Sequence, residues 1–279
     1  EKFNWDNYLP GYSAMKEKER VVFFLRDGLS AAEKERMAAY GADMNKYLDS
    51  GNEARIKKAY ESRDPRLQMA VITPYAQYNG ASSGIAHTYT LRWPYRGSDS
   101  AEPFDIRTDT NDKFYYLWRK FVPEGLEQTE RDTYGLDIPL IRYAEVLLLK
   151  AEALNEWGST HESEAIRCVN EVRRRAGHVE LNNATYPATK VNGQSDLRER
   201  IRNEYYWEIG GEDSMYFHEL RWGTWKDKKF DNNRNGLMQM WGETTYTWYW
   251  LGDQCWSWPI PAKEMEMNSN LEQNEGWIN

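Results

Sequence analysis

The sequence predicts a mainly α fold, built from antiparallel helix pairs with long irregular loops and a few short strands. Three observations predict it. Over residues 139–177, apolar residues recur at steps of three and four in two successive runs, each closed by a glycine. A third run, through Leu197, Ile201 and Tyr205, repeats the spacing and stops at Gly210-Gly211. Before residue 136 that period is weaker, and over residues 74–113 Pro, Gly, Asn, Ser and Asp replace it at high density, which marks long loops.

In chain order, Ser30-Ala31-Ala32-Glu33 has the capping-box spacing and opens a helix through about Leu48, with Met37, Tyr40, Met44 and Tyr47 on one side. Gly51-Asn52 interrupts it, and a second short helix runs to about Tyr60. Arg63-Asp64-Pro65-Arg66-Leu67 predicts a turn, and residues 69–73 a short strand. Pro139 suits a first helical position, and Leu140, Tyr143, Ala144, Leu147, Ala151 and Leu154 form an apolar stripe facing a partner helix. Gly158 ends that helix, Ser159-Thr160-His161-Glu162 caps the next, and Ala165, Cys168, Val169, Val172 and Ala176 form its stripe before Gly177. Arg173-Arg174-Arg175 lies in its last turn, where cations favour the helix dipole. The short connection makes the two antiparallel. Small residues at Ala144, Ala151 and Ala165 permit close approach, as in a tetratricopeptide-like unit. Helices from about Ser195 and Ser214 follow, and residues 226–279 are mostly irregular, with Trp258-Pro259-Ile260-Pro261 extended. The chain thus divides into a loop-rich part, 1–136, and a helical part, 137–279, expected to form one continuous structural unit.

Composition narrows the function classes. With 279 residues, 40% hydrophobic and 29% charged, the chain has the make-up of a globular protein and enough length for a sizeable core. Its mean hydropathy is −0.88, and its apolar runs are far shorter than a membrane span requires. A net charge of −8 disfavours a nucleic-acid partner, which needs a basic footprint. Cys168 and Cys255 are too few for a disulfide framework. His87, His161, His178 and His218 lack metal-ligand spacing, and residues 105–112, though rich in Asp and Asn, lack the Gly and closing Glu of a calcium loop. Neither metal nor cofactor is expected. Thirteen Trp, nineteen Tyr and eight Phe make 14% of the chain, many of them in loop-type sequence where packing does not require them.

The stretch from Ile138 to Gly158 strongly resembles the C-terminal region of the SusD/RagB family. Asn170-Glu171-Val172-Arg173, Arg221-Trp222-Gly223, Pro259-Ile260-Pro261 and the closing Asn274…Gly276-Trp277 also match in order, as does Arg63-Asp64-Pro65-Arg66-Leu67 upstream. The sequence departs from the family's Glu-Arg and Glu-Gly-x-Arg steps: Glu204, Glu208 and Glu212 keep the acidic spacing, but Tyr205, Asp213, Met215 and His218 stand at the other positions. The resemblance implies a SusD-like αα superhelix, and a surface lipoprotein sitting over a SusC-like TonB-dependent transporter of the bacterial outer membrane. It also implies that an N-terminal half, with the lipid-bearing cysteine, is absent from residues 1–279, so that contact with the membrane would come only through that anchor.

A flat ring covers the apolar face of a sugar at low entropy cost, while Asn, Asp, Arg and Gln satisfy its hydroxyls. On that basis Trp5, Tyr8, Tyr12, Tyr78, Trp93, Trp241, Tyr246, Trp248 and Trp250, with Asp253, are the candidate ligand-binding residues. Trp157, Trp207, Trp222 and Trp277 are assigned to packing. Glu145 and Glu152 lie two turns apart on one helix face, a spacing better explained by a solvated or Arg-paired surface than by glycosidase chemistry. No H-E-x-x-H or Gly-rich phosphate loop occurs, and a nucleophilic triad is unsupported. The expectation is therefore non-catalytic capture of an oligosaccharide at the cell surface and its delivery to the transporter. The alternatives are a transporter lid or scaffold that binds peptide or protein, and an α-helical glycosidase.

Overall fold

The computed structural model of the chain describes residues 3–82, 84–96, 104–108, 113–127, 135–212, 214–230 and 236–277. Its contacts divide it into two compact units, Glu1–Met215 with Gln239–Gly242, and Tyr216–Met238 with Glu243–Asn279. The compositional change near residue 136 is thus not where the contacts thin out. The architecture is the mainly α one expected, with a few short antiparallel strand pairs among the described residues.

The first unit opens with turns and 3-10 segments before α1 (Ala31–Tyr40). Both halves of the capping box form: the Glu33 backbone N–H donates to Ser30 Oγ, and the Ser30 N–H donates to the Glu33 carboxylate. The helix stops at Gly41, whose φ of +121° is closed to most side chains, so it ends well short of Leu48. The Asp27 carboxylate accepts from the backbone N–H of Gly51, Asn52 and Glu53 at the start of α2 (Asn52–Glu61), satisfying donors that a helix start leaves open. Where a turn was expected, Asp64 caps α3 (Pro65–Ala70) by accepting from the Arg66 N–H, and Pro65 fills the first helical position. The expected strand is reduced to β1 (Val71–Ile72), which pairs with β4 (Leu117–Trp118).

Residues 74–113 are not loop throughout. A hairpin forms between β2 (Gln77–Ser82) and β3 (Ile85–Thr90), and its register sets Tyr78 opposite Tyr89 and Gly80 opposite His87. The Tyr89 ring lies over Gly80, where a Cβ would come within 2.8 Å of it. The string Gly80-Ala81-Ser82-Ser83-Gly84 has G-x-S-x-G spacing, but Gly80, Ala81 and Ser82 belong to β2 and the next element is strand β3 rather than a helix, so it is not a nucleophile elbow. Of the acidic stretch 105–112, residues 109–112 lie outside the described ones. Asp105 is buried and receives the Arg92 guanidinium at 2.8 Å, a structural use of its charge.

Much of the aromatic content packs into one core in this unit, with Phe24, Tyr60, Leu91 and Phe114 at its centre. Tyr12, Tyr78, Trp93 and Trp241, expected at a ligand surface, are buried in it. Trp93 is 2% exposed and its ring centroid lies 5.0 Å from that of Trp241, which has no exposed surface. The two tyrosine hydroxyls are satisfied internally: Tyr78 OH donates to the Pro123 carbonyl (2.7 Å) and Tyr12 OH to that of Trp241 (3.4 Å). Burial of large rings is the physical reason for the correction, since it removes more apolar surface from water than any other side chain offers.

The helical pair is α4 (Tyr143–Trp157) and α5 (Glu162–Arg175), with α6 (Gln194–Ile209) packed on α4. Leu147, Ala151 and Leu154 face α5 and α6 as expected, Ala151 and Ala165 are fully buried, and Leu197, Ile201 and Tyr205 form the buried stripe of α6. The helix starts at Tyr143 rather than Pro139, so Leu140 and Tyr143 miss the packed face and are exposed. A 3-10 turn over Ser159–His161, not a side-chain cap, leads into α5.

Candidate functional site

Two clusters hold the residues that carry chemistry. The first, in the first unit, is ionic. Arg66 of the Arg-Asp-Pro-Arg motif is buried and donates to Asp64 Oδ2 (2.7 Å), Glu204 Oε1 (2.7 Å) and Glu208 Oε2 (3.2 Å). Arg173 meets Glu204 from α5 at 3.0 Å, and Arg175 reaches Glu208. Arg142, just before α4, reaches Glu208 at 3.0 Å and Glu212 at 2.6 Å, and Lys120 also pairs with Glu212. Acids four residues apart on α6 and just beyond it thus line one side and bind cations from four other segments. Burial of Glu208 opposes its ionisation, but hydrogen bonds from Arg142 and Arg175 outweigh it and hold the carboxyl below its ordinary range. Asp64 is likewise held low: burial works against it, and Arg66 more than compensates. Each acid faces arginine rather than an open cleft, so the cluster is a fastening between helices. Tyr205 and Met215, at positions where the sequence departs from the family pattern, are buried in the packing.

The second cluster, in the second unit, is aromatic. It comprises the end of α7 (Ser214–Arg221), α8 (Trp225–Lys229), the strand pair β5 (Gly236–Met238) and β6 (Thr244–Thr247), and α9 (Ala262–Met267). Ring contacts run in series. Tyr216 meets Trp225 at 4.8 Å between centroids, Trp225 meets Phe230 at 6.1 Å, Phe230 meets Trp250 at 5.2 Å, and Trp250 meets Trp256 at 5.2 Å. The indole N–H of Trp250 donates to Asp253 Oδ1 (3.0 Å), and Lys226 donates to the same oxygen (3.0 Å) while its ammonium lies 5.8 Å from the Trp250 ring. The hydrogen bond from Lys226, then that from Trp250, lowers the Asp253 carboxyl from its ordinary value. In the same unit Tyr246, Trp248 and Tyr249, neighbours of this tryptophan in sequence, and Trp258, whose indole N–H donates to Tyr216 OH at 3.3 Å, stand exposed, from 40% for Trp248 to 77% for Tyr249.

The closing motif of the chain fastens part of this unit. Gln273 donates to the Ile260 carbonyl (2.9 Å) and accepts the Ile260 N–H (2.7 Å), copying a strand pairing with one side chain. Asn274 donates to the Trp258 carbonyl at 2.6 Å, and the Trp277 indole N–H donates to the carbonyls of Gln254 and Ser257. The segment carrying Trp256 and Trp258 is therefore tied down at several points, which lowers the entropy lost when a ligand stacks on it.

Of the candidate residues, then, Tyr246, Trp248, Trp250 and Asp253 lie in this unit, and Trp250 and Asp253 touch directly. The other six lie in the first unit: Tyr12, Tyr78, Trp93 and Trp241 in its core, and Trp5 and Tyr8 half-buried against it, with Trp5 at 5.3 Å from Tyr60. Trp225, Phe230, Trp256 and Trp258 were not singled out. Trp225-Lys226 and Trp256-Ser257-Trp258-Pro259, aromatic residues set among polar ones, were the available signal. Trp157 is exposed rather than packed and stacks on His161, while the Trp207 ring stacks on His178 and has the guanidinium groups of Arg66 and Arg173 at 6.0 and 5.8 Å from its centroid. Among the described residues no three His, Cys, Asp or Glu side chains converge as a metal site would require, and no helix is long and apolar enough to cross a membrane.

The sequence pattern of one family, the SusD family, matches residues 22–277, nearly the whole chain. The chain belongs to the SusD family. It is similar to SusD-like protein P38 of Formosa agariphila, 32% identical over 139 residues, and to Starch-binding protein SusD of Bacteroides thetaiotaomicron, 28% identical over 161 residues. These matches cover 50% and 57% of this chain but only 24% and 25% of those proteins, and the chain spans about half of their length. A crystal structure of a SusD-like protein from Bacteroides fragilis shares the fold with a TM-score of 0.54 at 22% identity, over 79% of this chain and 40% of that one. SusD family members are non-catalytic binding proteins, in keeping with acids that are spent on arginine rather than poised across a cleft.

Proposed function

We propose that the chain binds an oligosaccharide without altering it, on the aromatic surface of the second unit, as part of a protein held at the surface of the bacterial outer membrane. One observation carries the proposal: rings at Tyr246, Trp248, Tyr249 and Trp258 are exposed in the same unit as a tryptophan framed by Asp253 and Lys226. Exposed rings beside charged donors and acceptors are what a sugar's apolar face and hydroxyl rim require. That the Bacteroides thetaiotaomicron relative is a starch-binding protein supports a glycan over a peptide. Delivery to a SusC-like TonB-dependent transporter follows from family membership and is part of the same proposal. Isothermal titration against a panel of oligosaccharides tests it. Heat of binding is expected with at least one glycan, and Trp248→Ala weakens that binding about tenfold, close to 1.4 kcal/mol, the scale of one aromatic platform. The melting temperature should stay put, because Trp248 lies outside any core. No heat from any glycan, or unchanged affinity in the variant, refutes this assignment.

A further inference from the structure

The charged pair that frames Trp250 is chemically one-sided. Asp253 Oδ1 takes two donors, the Trp250 indole N–H and the Lys226 ammonium, each at 3.0 Å. Among the described residues Asp253 Oδ2 takes no hydrogen bond. The pair is also unequally exposed, at 73% for the Asp253 side chain and 33% for that of Lys226. A ligand therefore meets the acid before the cation. The bonds from Lys226 and Trp250 favour the charged form of Asp253, so it is a carboxylate at neutral pH. What stands open beside the ring is a charged acceptor, while the two donors next to it are engaged. The rest of the unit does not reverse this balance. From Trp241 to the end of the chain the sequence holds six acids and a single cation, Lys263. Two cations before that stretch have partners of their own: Lys229 lies 3.9 Å from Glu219, and Arg221 donates to His218 Nδ1 at 3.2 Å.

We propose, resting on the reading of this surface as a glycan site, that its ligand is an uncharged glycan and that Asp253 selects it, accepting sugar hydroxyls at Oδ2 and turning away uronic acids and sulfate esters. The two ligand classes differ in what they can give to that oxygen. A hydroxyl donates, and its bond to a carboxylate is charge-assisted, about twice as strong as one between neutral groups. The carboxylate of a uronate or the sulfate of an ester brings acceptors only and sets like charge against like. To hold such a group Lys226 would have to leave Oδ1, and Asp253 would then lose its cation just where a second negative charge arrives. The carboxylate is also held in place before any ligand comes. Its Oδ1 is fixed to Trp250, and that ring is itself seated against Phe230 and Trp256, each 5.2 Å away between centroids. A hydroxyl bound at Oδ2 thus orders little of the protein as it binds.

Isothermal titration of the chain against a panel of uncharged, uronate-containing and sulfated oligosaccharides tests the proposal, with Asp253→Asn titrated alongside. The glycans that release heat with the natural sequence are expected to be uncharged. Asp253→Asn keeps an oxygen for the Trp250 N–H and puts an amide donor where Oδ2 stood. It should weaken uncharged binders about tenfold, the worth of one hydrogen bond to a charged group, and strengthen acidic ones. Its melting temperature should match that of the natural sequence, because the side chain is exposed. Raising the salt concentration about tenfold should leave uncharged binders unchanged, since no ligand charge is there to be screened. An acidic glycan that binds the natural sequence as tightly as any uncharged one, and less tightly as salt rises, overturns the proposal. If Trp248→Ala weakens that acidic glycan, the glycan reading of the surface stands and only the selection by Asp253 falls. Unchanged affinity for uncharged glycans in Asp253→Asn also overturns it. No heat from any glycan overturns both.

Discussion

Replacing Arg66 by alanine is expected to destabilise the first unit by about 3–5 kcal/mol, the cost of removing one partner from a buried ion pair. The size follows from what stays behind. Glu204 and Glu208 are almost without exposed surface, and Arg66 supplies one cation to both. Arg173 still reaches Glu204, and Arg142 and Arg175 still reach Glu208, so neither acid is wholly abandoned; but three carboxylates, counting Asp64, lose their shared neighbour at once. Arg66→Lys should recover only part of the loss, because an ammonium cannot serve three acceptors in the planar, forked geometry of a guanidinium. Urea denaturation followed by tryptophan fluorescence measures both, and a loss below about 1 kcal/mol, the range of exposed pairs, contradicts the structural role given to Arg66. The same fastening makes stability depend on acid. Glu208 and Asp64 have folded values below their unfolded ones, so the folded state gains from their ionisation above the unfolded values of about 4.3 and 3.9. That gain is lost as pH falls through those values and on through the lower folded ones. The urea midpoint should therefore be flat from pH 8 to 6 and drop below about pH 4.5, and a midpoint unchanged down to pH 3 would contradict the arginine–carboxylate account.

The parts of the fold that were legible in the sequence are those where local chemistry and burial agree. In the α4–α5 pair, glycines, capping and the three-four spacing all point the same way, and the inner stripes fall where the spacing puts them. The Arg-Asp-Pro-Arg element was recognisable as a motif, but its partners Glu204 and Glu208 lie 138 and 142 residues away, and no local pattern links them. The β2–β3 hairpin was hidden because Gly80 and Ser82 dilute the alternation that marks a strand, and because the hairpin projects, burying little along β3. The proposed ligand surface was half legible for a related reason. An aromatic residue in loop-type sequence signals only that local packing does not need it. Whether distant segments need it depends on the fold, and Trp93 and Trp241 are 148 positions apart yet in ring contact. Around Trp250 the local composition was more telling, because Asp253 lies within a turn of it in sequence and does meet its indole N–H.

Trp241 gives the sharpest contrast between the two roles a loop-borne ring can have. It sits in the short return between β5 and β6, and Gln239–Gly242 nonetheless belongs to the first unit. Gln239 fixes the return by accepting the Phe114 N–H at 3.0 Å and donating to Tyr40 OH at 2.8 Å, while the Met240 N–H donates to the Phe114 carbonyl. The indole then fills the space between Trp93, Phe24 and Tyr40. Trp241→Ala is expected to lower stability by about 3–5 kcal/mol, through lost transfer energy and the cavity left among rings too rigid to collapse into it. Trp241→Phe keeps most of the apolar volume and should cost markedly less. The pair of tryptophans 241 and 248, seven residues apart in a similar sequence setting, should then separate cleanly. Substitution at 241 lowers the urea midpoint, while the Phe variant, still folded, keeps its glycan affinity; substitution at 248 lowers glycan affinity at constant midpoint. If Trp241→Phe were to lose binding while keeping its midpoint, the ring would be acting on the ligand and its place in the core would be wrong. The distinction rests on burial alone, since 0% exposure leaves a ring no face to offer a sugar, whereas 40% does.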